Sequence, residues 1–296
     1  MTEHVALPPN GHYVDVPFSP ADDLWVTEAG VPLPGASLRI YAFYTTVDTT
    51  PGDAASNATG TAKSAAATNA TTPPPPTHSQ INAPTPAHTP PTNPLDRPVI
   101  LIEHALTGDG NAAEWWAGLI SPGLGFDTDR YLVLCANVLG GCDGSTGPSS
   151  ISPDGLPWGS RFPALSMRDM VDAEHCALEK LGIRRLHAVV GASMGGARAL
   201  EWCIMFPDVV ASALVIAVSA RASAWQIGIQ SAQIRFIEAD PDWQGGDYYG
   251  TGRAPTHGIG QARRIPHLTY LGELELDERF GAIPNHNEDP YCHLSS

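Results

Sequence analysis

Apolar and polar positions along the chain follow patterns typical of short strands separated by helices. Strands are predicted where short runs are apolar or alternate, around residues 13–16, 38–44, 98–103, 131–136, 186–190 and 213–218. Helices are predicted at 166–181, which begins at a suitable capping serine, and at 194–206, which stops before Pro207. Because strands and helices alternate after residue 98, we expect an α/β fold with a mostly parallel sheet flanked by helices.

Other parts of the chain depart from this alternating core, which we place at residues 1–221. Residues 45–93 are rich in Ala, Thr, Pro, Asn and Ser and hold almost no large apolar side chains, so we predict a disordered insertion within the core. Helical patterns without a clear strand occur at 226–237 and 257–280. We therefore predict a helical lid segment at 222–281, and we assign no structure to the tail at 282–296.

The composition argues against several classes of function. A formal net charge of −15 argues against nucleic-acid binding, which usually needs a basic patch. No apolar run approaches the roughly 20 residues that span a bilayer, and the N-terminus lacks the features of a signal peptide, so we expect a cytoplasmic protein without membrane contact. The five cysteines form no Cys-x-x-Cys pair, so we expect reduced, mostly buried thiols and no metal site.

The strongest chemical signal is the run Gly191-Ala192-Ser193-Met194-Gly195. A G-x-S-x-G run is weak alone, but here a predicted buried strand precedes it and a predicted helix follows it, as a nucleophile elbow requires. Such a turn lifts the serine hydroxyl above the sheet and aims it at the positive end of the helix. We therefore predict that Ser193 is a catalytic nucleophile; the alternative is a glycine-rich turn with an incidental serine.

A serine acyl-transfer site also needs an oxyanion hole, made of N–H donors that stabilise the negative oxygen of the tetrahedral intermediate. We predict that the backbone N–H groups of Leu106 and Met194 supply it, because residues 104–108 form a turn directly after a predicted strand. His104 is more consistent with shaping this turn than with a catalytic base, since it precedes the serine. The glycine-rich run at 137–148 lacks the ending of a phosphate-binding loop, which favours a tight loop near the site.

These motifs, with several others, resemble the homoserine O-acetyltransferase family. The matching segments are 104–108, 127–131, 137–142, 144–150, 168–171, 191–196, 199–202 and 267–271. The resemblance covers about residues 98–281 and, more weakly, 13–45. It implies a fold of the α/β-hydrolase type.

The resemblance also implies an acyltransferase that moves an acetyl group from acetyl-CoA to the hydroxyl of L-homoserine, a step in methionine biosynthesis. The mechanism would be ping-pong through an acetyl-Ser193 intermediate, with acetyl-CoA as a substrate and no cofactor. The family's carboxylate-binding residues map onto Arg263 and Tyr270. Chemistry alone would also allow Arg264, and a surface helix charge is the alternative for Arg263. The family's lid helices suggest a homodimer.

The end of the chain departs from the family pattern. The family continues past residue 281 with two more strands, followed by the catalytic Asp and His. Two aspartates and two histidines near the end follow no predicted strand and are not assigned to the catalytic triad: Asp277, His286, Asp289 and His293. We therefore expect that the catalytic Asp and His are not present in this chain, and that it is a truncated form that is inactive alone.

Three alternative functions remain open at this point. The first is a related acyltransferase with a succinyl donor or a serine acceptor. The second is a serine hydrolase or esterase, since fold alone does not separate transfer from hydrolysis. The third is a decayed, non-catalytic hydrolase-fold protein, against which the preserved elbow argues.

Overall fold

A computed structural model of the protein describes residues 5–19, 24–46 and 90–280. Most of the insertion predicted at 45–93 and all of the tail at 282–296 lie outside this part. The strands are β1 (His12–Pro17), β2 (Ser37–Phe43), β3 (Val99–Glu103), β4 (Leu132–Ala136), β5 (Ala188–Ala192) and β6 (Ala213–Ile216). The α-helices are α1 (Ala112–Trp115), α2 (Met167–Lys180), α3 (Met194–Met205), α4 (Ala224–Glu238), α5 (Thr256–Tyr270) and α6 (Glu273–Phe280).

The six strands form one mixed sheet in the order β1-β2-β4-β3-β5-β6. The β1–β2 and β2–β4 pairs are antiparallel, whereas the β4–β3, β3–β5 and β5–β6 pairs are parallel. The predicted α/β sheet flanked by helices is thus confirmed, with an antiparallel extension at one edge. As parallel strands end at the same side of a sheet, β3, β4 and β5 deliver the residues after them to one place.

Strand β3 shows how the sheet separates two layers of core. Val99 and Leu101 face the larger core, which α2 and α3 cover. Ile100 and Ile102 face a smaller core, which side chains of β2, β4 and β5 form together with α1 and the loop that follows it. Every residue of β3 and β4 is buried, which agrees with their near-continuous apolar sequences.

Several predicted boundaries are wrong, including that of β6, which ends at Ile216 rather than at residue 218. The helix predicted at 257–280 is two helices, because α5 ends at Tyr270 and α6 begins at Glu273. Gly272, a weak helix former, lies in the break, and its carbonyl accepts a hydrogen bond from Leu276 in the next turn. Strand β5 begins two residues later than predicted, because its register with β3 starts at the Ile100–Ala188 pair.

The last strand and the helices after it are far more exposed than the rest. On β6, Leu214 and Ile216 are 51% and 39% exposed, and none of the α4 residues is buried. The predicted lid segment therefore consists of helices whose apolar side chains largely face solvent. Among the described helices, none has both the length and the apolar composition needed to cross a lipid bilayer.

Candidate active site

Ser193 lies in a strained turn between β5 and α3. Its backbone angles are φ 57° and ψ −122°, a combination that side-chain-bearing residues rarely adopt. Such a conformation costs about 1–3 kcal/mol and persists only where the surroundings enforce it. Here the Ser193 N–H donates to the Ile216 carbonyl of β6 at 3.0 Å, and its carbonyl accepts from Ala197 at 3.1 Å. The side chain is exposed at the carboxyl end of the parallel strands, as a nucleophile elbow requires.

The glycines on either side of Ser193 allow this turn because the backbone packs too closely for a side chain. A Cβ atom on Gly191 would overlap the carbonyl of Gly195. A Cβ atom on Gly195 would overlap the carbonyl of Glu103, the last residue of β3. The start of α3 therefore packs directly against the end of β3 and the turn that follows.

The two predicted oxyanion donors line one cavity of about 460 Å³. Leu106 in the turn at 104–108 and Met194 at the first position of α3 both contribute to its wall, together with the loop at 137–143. Within residues 5–19, 24–46 and 90–280, neither the Leu106 N–H nor the Met194 N–H donates a hydrogen bond. Ser193 itself is not among the residues that line this cavity, although it directly precedes Met194. Two unpaired amides could stabilise a negatively charged oxygen, and the oxyanion role of Leu106 and Met194 remains a prediction.

His104 supports the turn rather than facing the serine. Its Nε2 accepts a hydrogen bond from the Val138 N–H at 3.1 Å, so the proton is on Nδ1, which donates to the Ala105 carbonyl at 2.7 Å. Burial, reinforced by the nearby Arg198 guanidinium, lowers the pKa of His104 to about 4. Both ring nitrogens are occupied, so this histidine holds the turn at 104–108 against the loop at 137–143.

Asn137 organises the loop at the other side of the cavity. Its Oδ1 accepts from the Gly110 N–H at 2.6 Å, and its Nδ2 donates to the Asp143 carbonyl at 2.7 Å. The loop lies beside the site, which is where the sequence predicted it. The cysteines within the described residues differ from expectation: Cys135 is buried, but Cys142 is exposed, and Cys176 and Cys203 are half-buried.

A buried charge network behind the elbow is absent from the sequence predictions. The Arg198 guanidinium on α3 forms ion pairs with Glu103 and Glu174, and all three side chains are at most 1% exposed. The sequence held one signal for it, since Arg198 lies four residues after Met194 and four before the buried Trp202. A charge on the core-facing stripe of a helix indicates a buried partner.

The predicted substrate-binding pair lies away from this cavity. Arg263 and Tyr270 are both on α5; Tyr270 is 81% exposed, and neither residue contributes to the cavity wall. In the described residues no hydrogen bond reaches the Ser193 hydroxyl, and no group of three or more His, Cys, Asp or Glu side chains is placed to hold a metal ion. The roles of Arg263 and Tyr270 remain predictions.

Comparison with curated proteins confirms the resemblance to homoserine O-acetyltransferases. The chain is 58% identical to the homoserine O-acetyltransferase of Corynebacterium jeikeium over 266 residues, which cover 90% of this chain and 60% of that protein. It is 54% identical to the one of Corynebacterium urealyticum over 96% of this chain and 62% of that protein. The chain therefore spans about 60% of the length of these relatives.

Solved structures support the fold. A homoserine O-acetyltransferase from Bacillus anthracis matches 96% of this chain and 66% of its own, with a TM-score of 0.66 and 22% identity. Esterase E22 matches 93% of this chain and 66% of its own, with a TM-score of 0.65 and 22% identity. The family model of the α/β hydrolase fold matches residues 98–290. The strained Ser193 elbow, the sheet and this match together show that the chain belongs to the α/β hydrolase fold family.

Proposed function

We propose that this chain carries the nucleophile and oxyanion hole of a homoserine O-acetyltransferase, an enzyme of methionine biosynthesis that uses acetyl-CoA. The observation that carries the chemistry is the strained Ser193, which directly precedes Met194; the unpaired amides of Met194 and Leu106 belong to residues that line one cavity. The similarity to homoserine O-acetyltransferases over at least 90% of this chain supports the choice of substrates. The proposed substrates are small molecules. We therefore still expect a cytoplasmic location and no nucleic-acid or membrane partner.

In the first half-reaction, the Ser193 oxygen attacks the carbonyl carbon of the acetyl thioester. A C–O bond forms, the C–S bond breaks, and coenzyme A leaves as the thiol after taking up the proton that the serine loses. The N–H groups of Leu106 and Met194 stabilise the negative oxygen of the tetrahedral intermediate. In the second half-reaction, the homoserine hydroxyl oxygen forms a bond to the acetyl carbon and the bond from that carbon to Ser193 breaks. The proton that homoserine loses passes to the Ser193 oxygen.

Both half-reactions need a general base to move the proton, and a carboxylate to orient that base. His104 is unsuited to this task, because its ring nitrogens bond Val138 and Ala105 and its pKa is about 4. Among the described side chains, none is hydrogen-bonded to the Ser193 hydroxyl. The test therefore asks whether the 296-residue chain turns over substrate by itself.

The test mixes the purified chain with acetyl-CoA and L-homoserine and measures O-acetylhomoserine by mass spectrometry. We expect Ser193→Ala to lower any turnover by at least about 10³-fold, because the acetyl-enzyme no longer forms. Parallel reactions with succinyl-CoA or L-serine, and a measurement of free acetate, separate the related acyltransferase and the hydrolase. Turnover that survives Ser193→Ala would contradict the proposal.

The acceptor site is tested with neighbouring arginines. If Arg263 binds the homoserine carboxylate as a two-pronged donor, Arg263→Gln raises the KM for homoserine about 10- to 100-fold and leaves the KM for acetyl-CoA unchanged. Arg264→Gln is the matched control and leaves both constants near the wild-type values. If Arg264→Gln raises the KM for homoserine and Arg263→Gln does not, Arg264 rather than Arg263 binds the homoserine carboxylate.

A further inference from the structure

Arg198 lies one helical turn after the nucleophile elbow and has no exposed surface. It follows Met194 by four residues on α3, so both point from the same side of the helix. Its position is therefore fixed relative to the Met194 amide by the helix itself. A charge this deeply buried, one turn from a catalytic serine, calls for a structural reason.

The guanidinium of Arg198 joins three separate parts of the chain. Its Nη1 lies 2.8 Å from Oε2 of Glu103, at the end of β3, and bonds Oε1 of Glu174, in the middle of α2. Its Nη2 donates to the carbonyl of His104 at 2.9 Å. One side chain thus ties α3 to the first residue of the turn that carries Leu106.

The His104 ring continues this connection toward the cavity. It accepts from the Val138 N–H and donates to the Ala105 carbonyl, the residue directly before Leu106. The main chain of the turn is therefore held from behind by Arg198 and from the side by the imidazole. Both contacts act on the segment that places the Leu106 amide.

The charges of the network show that stability alone is a poor explanation for Arg198. One guanidinium faces two buried carboxyl groups, and burial together with the nearby Glu174 carboxylate raises the pKa of Glu103 well above its usual range. A buried ion pair is often no more stabilising than apolar side chains of the same volume. A forked, planar donor offers something apolar groups lack, namely a fixed direction for each hydrogen bond.

We propose that Arg198 is a positioning residue of the oxyanion hole, whose hydrogen bond to the His104 carbonyl fixes the Leu106 amide relative to the Met194 amide. This inference rests on the proposed acyl transfer. The two amides act on the charge that develops in the transition state, so their misplacement affects kcat rather than substrate binding. Arg198 itself touches neither the cavity nor the serine.

The main variant is the double substitution Arg198→Met with Glu174→Gln. It removes the Arg198–Glu174 pair as a unit, because loss of the arginine alone would leave the Glu174 carboxylate unpaired. Glu103, whose pKa burial raises well above its usual range, takes up a proton when the guanidinium is lost. The matched control is Trp202→Phe, which deletes the 3.0 Å hydrogen bond from the Trp202 indole to Glu174 and leaves the bond to His104 intact. Both variants disturb the same network, but only the double variant releases the turn.

Two readouts are compared. The first is the NMR position of the Leu106 and Val138 amide signals, which reports the turn whether or not the chain turns over substrate. The second is the kinetic split, for which we expect kcat to fall about 10- to 100-fold in the double variant with the KM for acetyl-CoA within about threefold of wild type. Trp202→Phe lowers the melting temperature but leaves the kcat and both amide signals near wild type.

Unchanged Leu106 and Val138 signals in a folded double variant would overturn the positioning role. If the double variant does not fold, Arg198→Lys decides, because lysine keeps the charge but not the forked donor. We expect Arg198→Lys to shift the same signals and lower kcat, and wild-type values would overturn the proposal. If wild type shows neither turnover nor an acetyl group on Ser193, the proposed function fails, while the amide signals still decide the role of Arg198.

Discussion

The described residues fall into two halves that have similar sequence patterns and opposite burial. The buried half consists of β2–β5 with α2 and α3, and it encloses strands β3 and β4 completely. The exposed half consists of β6 and α4–α6, where Leu214 is 51% and Trp225 is 74% exposed. The apolar pattern specified strands and helices in both halves. Burial depended on whether a second surface met each apolar face.

The Ser193 elbow lies where the two halves meet. The residues proposed for acyl transfer and those proposed for acceptor binding therefore lie in different halves. Ser193, the Leu106 and Met194 amides and the Arg198 network are anchored in the buried half, although the Ser193 N–H bonds Ile216 of β6. Arg263 and Tyr270, the proposed acceptor site, lie in the exposed half. We therefore expect substitutions in the buried half to change stability and kcat, and those in the exposed half to act mainly on acceptor binding.

The largest expected difference between the halves comes from one substitution made on two parallel strands. Leu101→Ala on β3 should lower the free energy of unfolding by about 2–5 kcal/mol, because it leaves a cavity in the core. Leu214→Ala on β6 should lower it by less than about 1 kcal/mol, because half of that side chain already contacts water. Urea denaturation measures both values. Equal losses would show that β6 is as well packed as β3.

Acid should weaken the buried half through His104. Its pKa is about 4 in the folded protein and about 6.5 when unfolded, so the unfolded chain binds more protons between these values. The stability from the neutral imidazole is complete above about pH 6.5 and is lost as the pH falls through about 4. The loss amounts to at most about 3 kcal/mol.

The measurement is urea denaturation of wild type and His104→Gln at several values between pH 7.5 and 4.5. Glutamine does not titrate, so its free energy of unfolding should fall less steeply with acid than that of wild type. The difference between the two curves removes the contribution of other groups. Parallel curves would mean that His104 is not held neutral by the fold.

The smallest expected difference compares two capping boxes, one in each half. Ser166 caps α2 and Ser223 caps α4, and each accepts a hydrogen bond from the third residue of its helix. Ser166→Ala should cost about 1 kcal/mol, since α2 packs against the core and its hydroxyl also donates to Glu28. Ser223→Ala should cost only a few tenths, because an exposed helix can fray without unfolding the sheet. A larger loss for Ser223 in denaturation would reverse the comparison.

The sequence predicted those parts of the molecule that depend on neighbours along the chain. All six strands and the Ser193 elbow follow from short apolar runs, glycines and the strand-turn-helix order. The break between α5 and α6 was missed, because the apolar spacing continues through Gly272 and only its weak helix propensity marks the end.

The Arg198 network shows why the remainder of the site was not predictable. Glu174 precedes Arg198 by 24 residues and Glu103 precedes it by 95, so no local spacing connects them. A carboxylate on a helix is most often solvated, and only the packing of α2 against α3 makes Glu174 a buried partner. The hydrogen bond from Arg198 to the His104 carbonyl also depends on the conformation of the residues that follow β3.

The proposed mechanism depends on Ser193 accepting an acyl group. The most direct test incubates the 296-residue chain with acetyl-CoA and locates acetyl groups by mass spectrometry of its peptides. We expect one acetyl group on Ser193, absent from Ser193→Ala and removed when L-homoserine is added. An unmodified Ser193 would contradict the acyl-serine mechanism, and an acetyl group that L-homoserine does not remove would contradict homoserine as the acceptor.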